Sequence, residues 1–283
     1  MRTASIAFVA LATLAGCKSS PEATQSVLTH TETWCPDGFE VGPQDTCFAI
    51  PDAHDANTPV LVYLHGMYQG HGSPEEWSAV REATRRGFAV VIPRGKRGYC
   101  AWKAELKDHF CWPTEVEDPQ PFKTVVAEWD KVLWQVDALL EGGTHKRYVL
   151  GFSNGGFFAE YLAAEGLFPA QGFAIVNGGG LVPPPKTAKP PPVLLVAAHD
   201  DPYQSGKMRE LHEGLGKAGW PHAWCARPGS HALATEDVDA ALRFFKRDAD
   251  GTLKAQAGAY ACEAGLKPAG SETRETREAP TKR

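Results

Sequence analysis

The chain is 283 residues long, 43% hydrophobic, and carries a formal net charge of -5. Length and apolar content suffice for one sizeable core, an ordinary single α/β domain. The charge leaves no basic surplus to neutralise a phosphate backbone, which argues against a nucleic-acid partner.

Residues 1–16 read as a signal peptide. Arg2 supplies positive charge, and residues 6–14 are mostly apolar but too short to span a bilayer comfortably. The segment closes on Leu14, Ala15, Gly16 and Cys17. That ending resembles a bacterial lipoprotein lipobox, and the resemblance implies that Cys17 is acylated and becomes the mature N-terminus. Each buried CH2 of an acyl chain contributes roughly 0.8 kcal/mol, so several chains would anchor the protein to a membrane. Residues 17–33, polar and rich in Ser and Thr, read as the lipidated cysteine and a flexible tether. The expected location is the bacterial cell envelope, lipid-anchored on the periplasmic face or cell surface, or the exterior.

Residues 34–263 read as the folded domain. Short apolar runs bounded by Gly and Pro lie at 60–64, 88–92, 148–150, 173–176, 193–196 and 223–226. Such continuous runs suit strands buried on both faces. Helical patterns lie between them at 74–86, 122–141, 154–165, 205–218 and 235–247. Ser73 and Pro74 supply an N-cap and a first helical position. In 122–141 the apolar residues recur at three and four, predicting one amphipathic helix. Strand and helix in alternation predict a mostly parallel sheet covered on both faces.

Two stretches break that rhythm. Residues 95–121 form a long insertion carrying Tyr99, Cys100, Trp102, Cys111 and Trp112. Loops of this length in compact domains are often functional, so its aromatics are candidate pocket walls. Residues 181–192 hold two Pro triplets, a stiff connector with no room for a helical lid. Residues 264–283 are charged and poor in large apolar groups, and read as a disordered tail.

With Cys17 assigned to lipid, Cys35, Cys47, Cys100, Cys111, Cys225 and Cys262 remain, an even number that suggests disulfides in an exported protein. Proximity along the chain pairs Cys35 with Cys47 and Cys100 with Cys111, leaving Cys225 with Cys262. The first pair is expected to brace an antiparallel hairpin at one sheet edge. No C-x-x-C spacing occurs, and neither metal nor cofactor is implied.

The chemistry centres on Gly151-Phe152-Ser153-Asn154-Gly155, a G-x-S-x-G motif after a strand run and before a helical pattern. The flanking glycines permit a tight strand-to-helix turn from which Ser153 projects, with a helix N-terminus beneath it. A serine nucleophile needs a base, and the base needs an orienting acid. The run from Val193 ends in His199-Asp200-Asp201-Pro202, where Asp200 and Asp201 compete for the acid. His231, after the last strand run and before the last helix, is the candidate base.

These motifs resemble the α/β-hydrolase superfamily, and within it the secreted polyhydroxybutyrate depolymerase / feruloyl esterase branch. The matching pieces are LVYLHGMYQG, VVIPRG, GFSNGG, AAHDDPY and PGSHAL, across about residues 35–248. The resemblance implies Asp201, rather than Asp200, as the acid and His231 as the base. It implies the backbone N–H groups of Met67 and Asn154 as oxyanion donors. His65 and Tyr68, in the same loop as Met67, join Tyr99, Trp102 and Trp112 as candidate pocket residues. Where the branch shows a Gly-rich oxyanion loop and an aromatic beside the catalytic histidine, this chain has Met67-Tyr68 and Ala232-Leu233. The implied reaction is hydrolysis of a carboxylic ester, on a polyester or an aryl or acetyl ester. A serine peptidase on the same fold and a non-catalytic surface lipoprotein are the alternatives.

Overall fold

The computed structural model describes residues 33–100, 102–203, 205–246 and 261–264. The expected signal peptide, Cys17, the tether up to residue 32 and the tail from 265 lie outside the described residues.

The chain opens with a hairpin, β1 (Glu40–Gly42) and β2 (Thr46–Ala49). Strand β3 (Val60–Leu64), helix α1 (Pro74–Arg85) and strand β4 (Ala89–Pro93) follow. The insertion leads to α2 (Gln120–Glu128) and α3 (Asp130–Leu139), then β5 (Arg147–Phe152), α4 (Asn154–Glu165) and β6 (Phe173–Val176). The domain closes with β7 (Val193–Ala198), α5 (Ser205–Ala218), β8 (His222–Arg227), α6 (Thr235–Phe245) and β9 (Ala261–Ala264). Among the described residues these strands form one nine-stranded sheet, ordered β1-β2-β4-β3-β5-β6-β7-β8-β9. The six strands from β4 to β8 in that order run parallel, while β1, β2 and β9 are antiparallel.

Period-two alternation in the strands divides the core. Val60, Val62 and Leu64 face a cluster built by α2, α3, α4 and α5. Leu61 and Tyr63 face the other, built by α1 and α6. Because both faces are covered, the parallel strands need no polar residues, which explains their continuous apolar runs. Ser73 caps α1, its Oγ accepting from the N–H of Glu76 at 3.3 Å, with Pro74 at the first position.

Two features depart from the sequence expectation. The 122–141 pattern forms two helices, α2 and α3, meeting at Trp129, whose buried indole packs edge-on against Trp112 and Phe158. The apolar stripe continues across the break because both helices face the same cluster. At the other end, β9 pairs with β8 and reaches Ala264, one residue beyond the expected domain limit. The segment 181–192 contains no helix, in line with its prolines.

The three expected disulfides are formed: Cys35–Cys47, Cys100–Cys111 and Cys225–Cys262. The first braces the β1–β2 hairpin region, and the third joins directly opposite residues of β8 and β9. Among the described residues no helix is long and apolar enough to cross a membrane.

Candidate active site

The turn from β5 into α4 holds Ser153 at φ 52°, ψ -117°, a conformation sparsely populated by residues with side chains. Two glycines make the turn sterically feasible. A Cβ on Gly155 would run into the Leu64 carbonyl of β3, and one on Gly151 would strike the Gly155 carbonyl. The turn is held by Ser153 N–H donating to Val176 O at 2.9 Å. The Ser153 carbonyl accepts from Gly156 N–H at 2.9 Å to begin the helix. The leading amides of α4 therefore lie beside the serine hydroxyl, where the helix end carries partial positive charge.

His231, in the loop between β8 and α6, places Nε2 2.8 Å from Ser153 Oγ. Its Nδ1 lies 2.6 Å from Asp201 Oδ2. Asp201 is buried just past the end of β7, and its Oδ1 accepts from Tyr203 N–H at 2.9 Å. Asp200 is solvent-exposed, and its Oδ2 accepts from Gly229 N–H at 3.3 Å instead. Of the competing aspartates, the structure brings Asp201 to the imidazole.

A cleft of about 730 Å3 opens over Ser153 and His231. Met67, Trp102, Asn154, Phe157, Leu181, Tyr203 and Lys207 are among its walls. Trp102 and Tyr203 are exposed large aromatics, and the Tyr203 ring stands 6.2 Å from the imidazole, edge-on. Tyr203, in the loop after β7, and Phe152, with its centroid 5.2 Å from the imidazole, thus both place aromatic rings beside His231. Neither Tyr203 nor Phe157 and Leu181 is distinguishable in the sequence from ordinary loop or helix residues.

Four proposed pocket residues are corrected. His65 is fully buried, with Nε2 accepting from Gly95 N–H at 2.8 Å and Nδ1 donating to Gly66 O at 2.6 Å. An amide N–H can only donate, so the ring is the neutral Nδ1–H tautomer. Burial holds its pKa down to about 3, which agrees. Tyr68 is buried against Phe110, Trp77 and His65, its hydroxyl accepting from Arg94 Nε at 3.2 Å. Tyr99 packs half-buried on the α2–α5 cluster, away from the cleft lining. Trp112 is wholly buried and stacked on Phe158, with ring centroids 5.2 Å apart. These rings are large apolar surfaces that a core was available to cover.

Trp112 has a supporting position instead. Its backbone N–H donates to Asn154 Oδ1 at 2.7 Å, and its indole N–H to His65 O at 2.8 Å. Phe110 N–H donates to Tyr68 O at 2.9 Å, and Cys111 exchanges two backbone bonds with Lys96. Three consecutive residues of the insertion thereby fasten it to the loop after β3, the chain after β4 and the turn at Ser153.

Two buried carboxyls escape sequence reasoning. Glu76 of α1 accepts from Tyr63 O–H at 2.5 Å and Gly66 N–H at 3.0 Å on the same oxygen, Oε2. Burial raises its pKa. Glu160 of α4 accepts from Leu181 N–H at 2.8 Å and Val182 N–H at 3.4 Å. Burial pushes its pKa up to about 7, against the pull of those amides, Gly180 N–H and Lys207. Each holds a loop at the cleft, but an acid on an amphipathic helix reads as a solvent-facing residue.

Among the described residues, no cluster of three or more His, Cys, Asp or Glu side chains is placed to hold a metal ion.

No protein-family model matches the chain. The bifunctional acetylxylan esterase/xylanase XynS20E of Neocallimastix patriciarum is 28% identical over 112 residues, 38% of this chain. That match spans only 14% of the relative's length. Esterase PE8 superposes with a TM-score of 0.52 at 20% identity, over 72% of this chain and 97% of its own. TT1662 from Thermus thermophilus superposes with a TM-score of 0.50 at 19% identity, over 74% of this chain and 96% of its own. With the strand order and the turn at Ser153, these likenesses define the fold as that of the α/β-hydrolases.

Proposed function

We propose that the chain is a serine hydrolase that cleaves carboxylic esters through an acyl-enzyme on Ser153. The observation that carries the reading is the unbroken contact from Asp201 Oδ2 through His231 to Ser153 Oγ, at 2.6 and 2.8 Å. Asp201 holds the proton on Nδ1, which leaves the Nε2 lone pair facing the hydroxyl. As Oγ attacks the ester carbonyl, Nε2 takes its proton, and the Asp201 carboxylate stabilises the imidazolium. The tetrahedral oxyanion is held by the Met67 and Asn154 N–H groups, each donor contributing on the order of 3 kcal/mol. His231 returns the proton to the departing alcohol. It then activates a water that releases the acid and regenerates Ser153.

The open cleft and its exposed aromatics favour a substrate with a flat or apolar portion, such as an aryl ester or a polyester segment. The name of XynS20E adds weight to acetyl esters. We further propose the organisation set out from the sequence, moved by one residue at its end: signal 1–16, lipidated Cys17 and tether to 33, a catalytic domain from 34 that β9 carries to Ala264, and a tail from 265. The three disulfides suit an oxidising compartment such as the cell envelope or the exterior.

Hydrolysis of p-nitrophenyl acetate, butyrate and octanoate by the full chain, beside Ser153→Ala, tests the reading. Turnover that disappears in the variant is expected. Equal turnover by both proteins, or no turnover and no labelling of Ser153 by a fluorophosphonate, would overturn it.

A further inference from the structure

Asn177 follows β6 directly, is buried, and sits in the left-handed region at φ 46°. Asn is the side-chain-bearing type that enters this region most readily, since its short amide can bond locally. Its carboxamide joins two separate loops. Oδ1 accepts from Ala198 N–H at 2.8 Å, at the last residue of β7 before the turn that carries Asp201. Nδ2 donates to Ala232 O at 3.1 Å, the carbonyl immediately after His231. Its own N–H donates to Val196 O at 3.0 Å, and the preceding residue, Val176, accepts from Ser153 N–H.

One buried side chain therefore bridges the end of the strand that leads to Asp201 and the residue after His231, and the residue before it holds the Ser153 N–H. The Ala232 carbonyl is also held by Arg227 Nη2, whose Nε is paired with buried Asp237 at 2.8 Å. Both donors converge on the carbonyl of the residue after His231, so the base is not held by its own side-chain contacts alone.

We propose that Asn177 is a positioning residue that sets the distance between the acid loop and the base loop. This rests on the Ser153–His231–Asp201 reading. A displacement of about 1 Å at a reacting group costs on the order of 100-fold in rate. Substrate meets the walls of the cleft rather than Asn177, so the loss belongs in kcat and not in KM.

Two variants of the full chain test it. Asn177→Gly keeps the left-handed backbone and removes both bonds. Asn177→Asp keeps the acceptor for Ala198 and removes the donor to Ala232. Each is expected to lower kcat about 10- to 100-fold with KM within about threefold, and to slow fluorophosphonate labelling in parallel. The His231 Nδ1–H proton resonance, assigned by its absence in His231→Gln, is expected to shift in both.

Unchanged kcat in both variants would overturn the proposal. So would a parallel fall in kcat and melting temperature with the His231 resonance in place, which marks a merely structural residue. Should the wild-type chain hydrolyse no ester, the serine-hydrolase reading fails. The resonance then decides the clamp alone: moved in Asn177→Gly it stands, unmoved it falls.

Discussion

Replacing Glu76 by leucine removes an acceptor shared by two buried donors, the Tyr63 hydroxyl and the Gly66 N–H. Each donor left unpaired in the interior costs about 1–3 kcal/mol. Relief from burying a carboxylate offsets part of that, so a net loss of about 3 kcal/mol is expected. For a domain of this size each kcal/mol lowers the melting temperature by about 2–4 °C, which puts the expected drop near 6–12 °C. Glu76→Gln keeps one oxygen for both donors and should lose only about 1 kcal/mol. Activity should follow geometry. Gly66 precedes Met67, a proposed oxyanion donor, and losing such a donor outright costs about 100- to 1,000-fold in kcat. A loop that is loosened rather than deleted should lose about 10-fold. Thermal melts and steady-state ester hydrolysis of both variants provide the check. Glu76→Leu melting within about 2 °C of wild type would refute the hydrogen-bond reasoning. A destabilised variant with full kcat would refute the link to the oxyanion loop.

Asp201→Asn should lower kcat by about 10,000-fold, while Asp200→Asn stays within a few-fold of wild type; the pair is read by ester hydrolysis. Trp102→Ala with Tyr203→Ala should raise KM for an aryl or long-chain ester more than for an acetyl ester, measured across the p-nitrophenyl series. Glu160, with its pKa raised to about 7, favours the protonated form on folding. Its contribution is fully present below the usual carboxyl value and is lost as pH rises through about 7, a change of about 3 kcal/mol. Glu160→Gln should therefore flatten the fall in melting temperature between about pH 5 and 8. An equally steep fall in the variant would contradict the assignment.

The strands were legible because burial on both faces writes itself as uninterrupted apolar runs, as at Val60 and Val193. Ser153, Asp201 and His231 were legible as positions because each sits at a strand end, where the topology gathers residues distant in sequence. Aromatic side chains in the insertion carry no such signal. Trp102 lines the cleft and Trp112 lies in the core, yet both are tryptophans in one irregular loop. Only the fold decides which way each faces. Glu76, Glu160 and Asn177 were illegible for a related reason, since their partners, backbone groups and the Tyr63 hydroxyl, lie on other segments. β9 was hidden because its sequence, ACEA, has no apolar run and draws its order from the β8 edge and Cys225.

The fastening of the insertion has two parts, one covalent and one not. Cys111 lies between Phe110 and Trp112, the residues that bind the loop after β3 and the turn at Ser153. Oxidation of Cys100 and Cys111 therefore closes the segment that carries Trp102 into a ring. The contacts among Ser153, His231 and Asp201 involve no cysteine. Apart from the Cys100–Cys111 bond, the insertion is held by backbone hydrogen bonds and by the packing of Phe110 and Trp112.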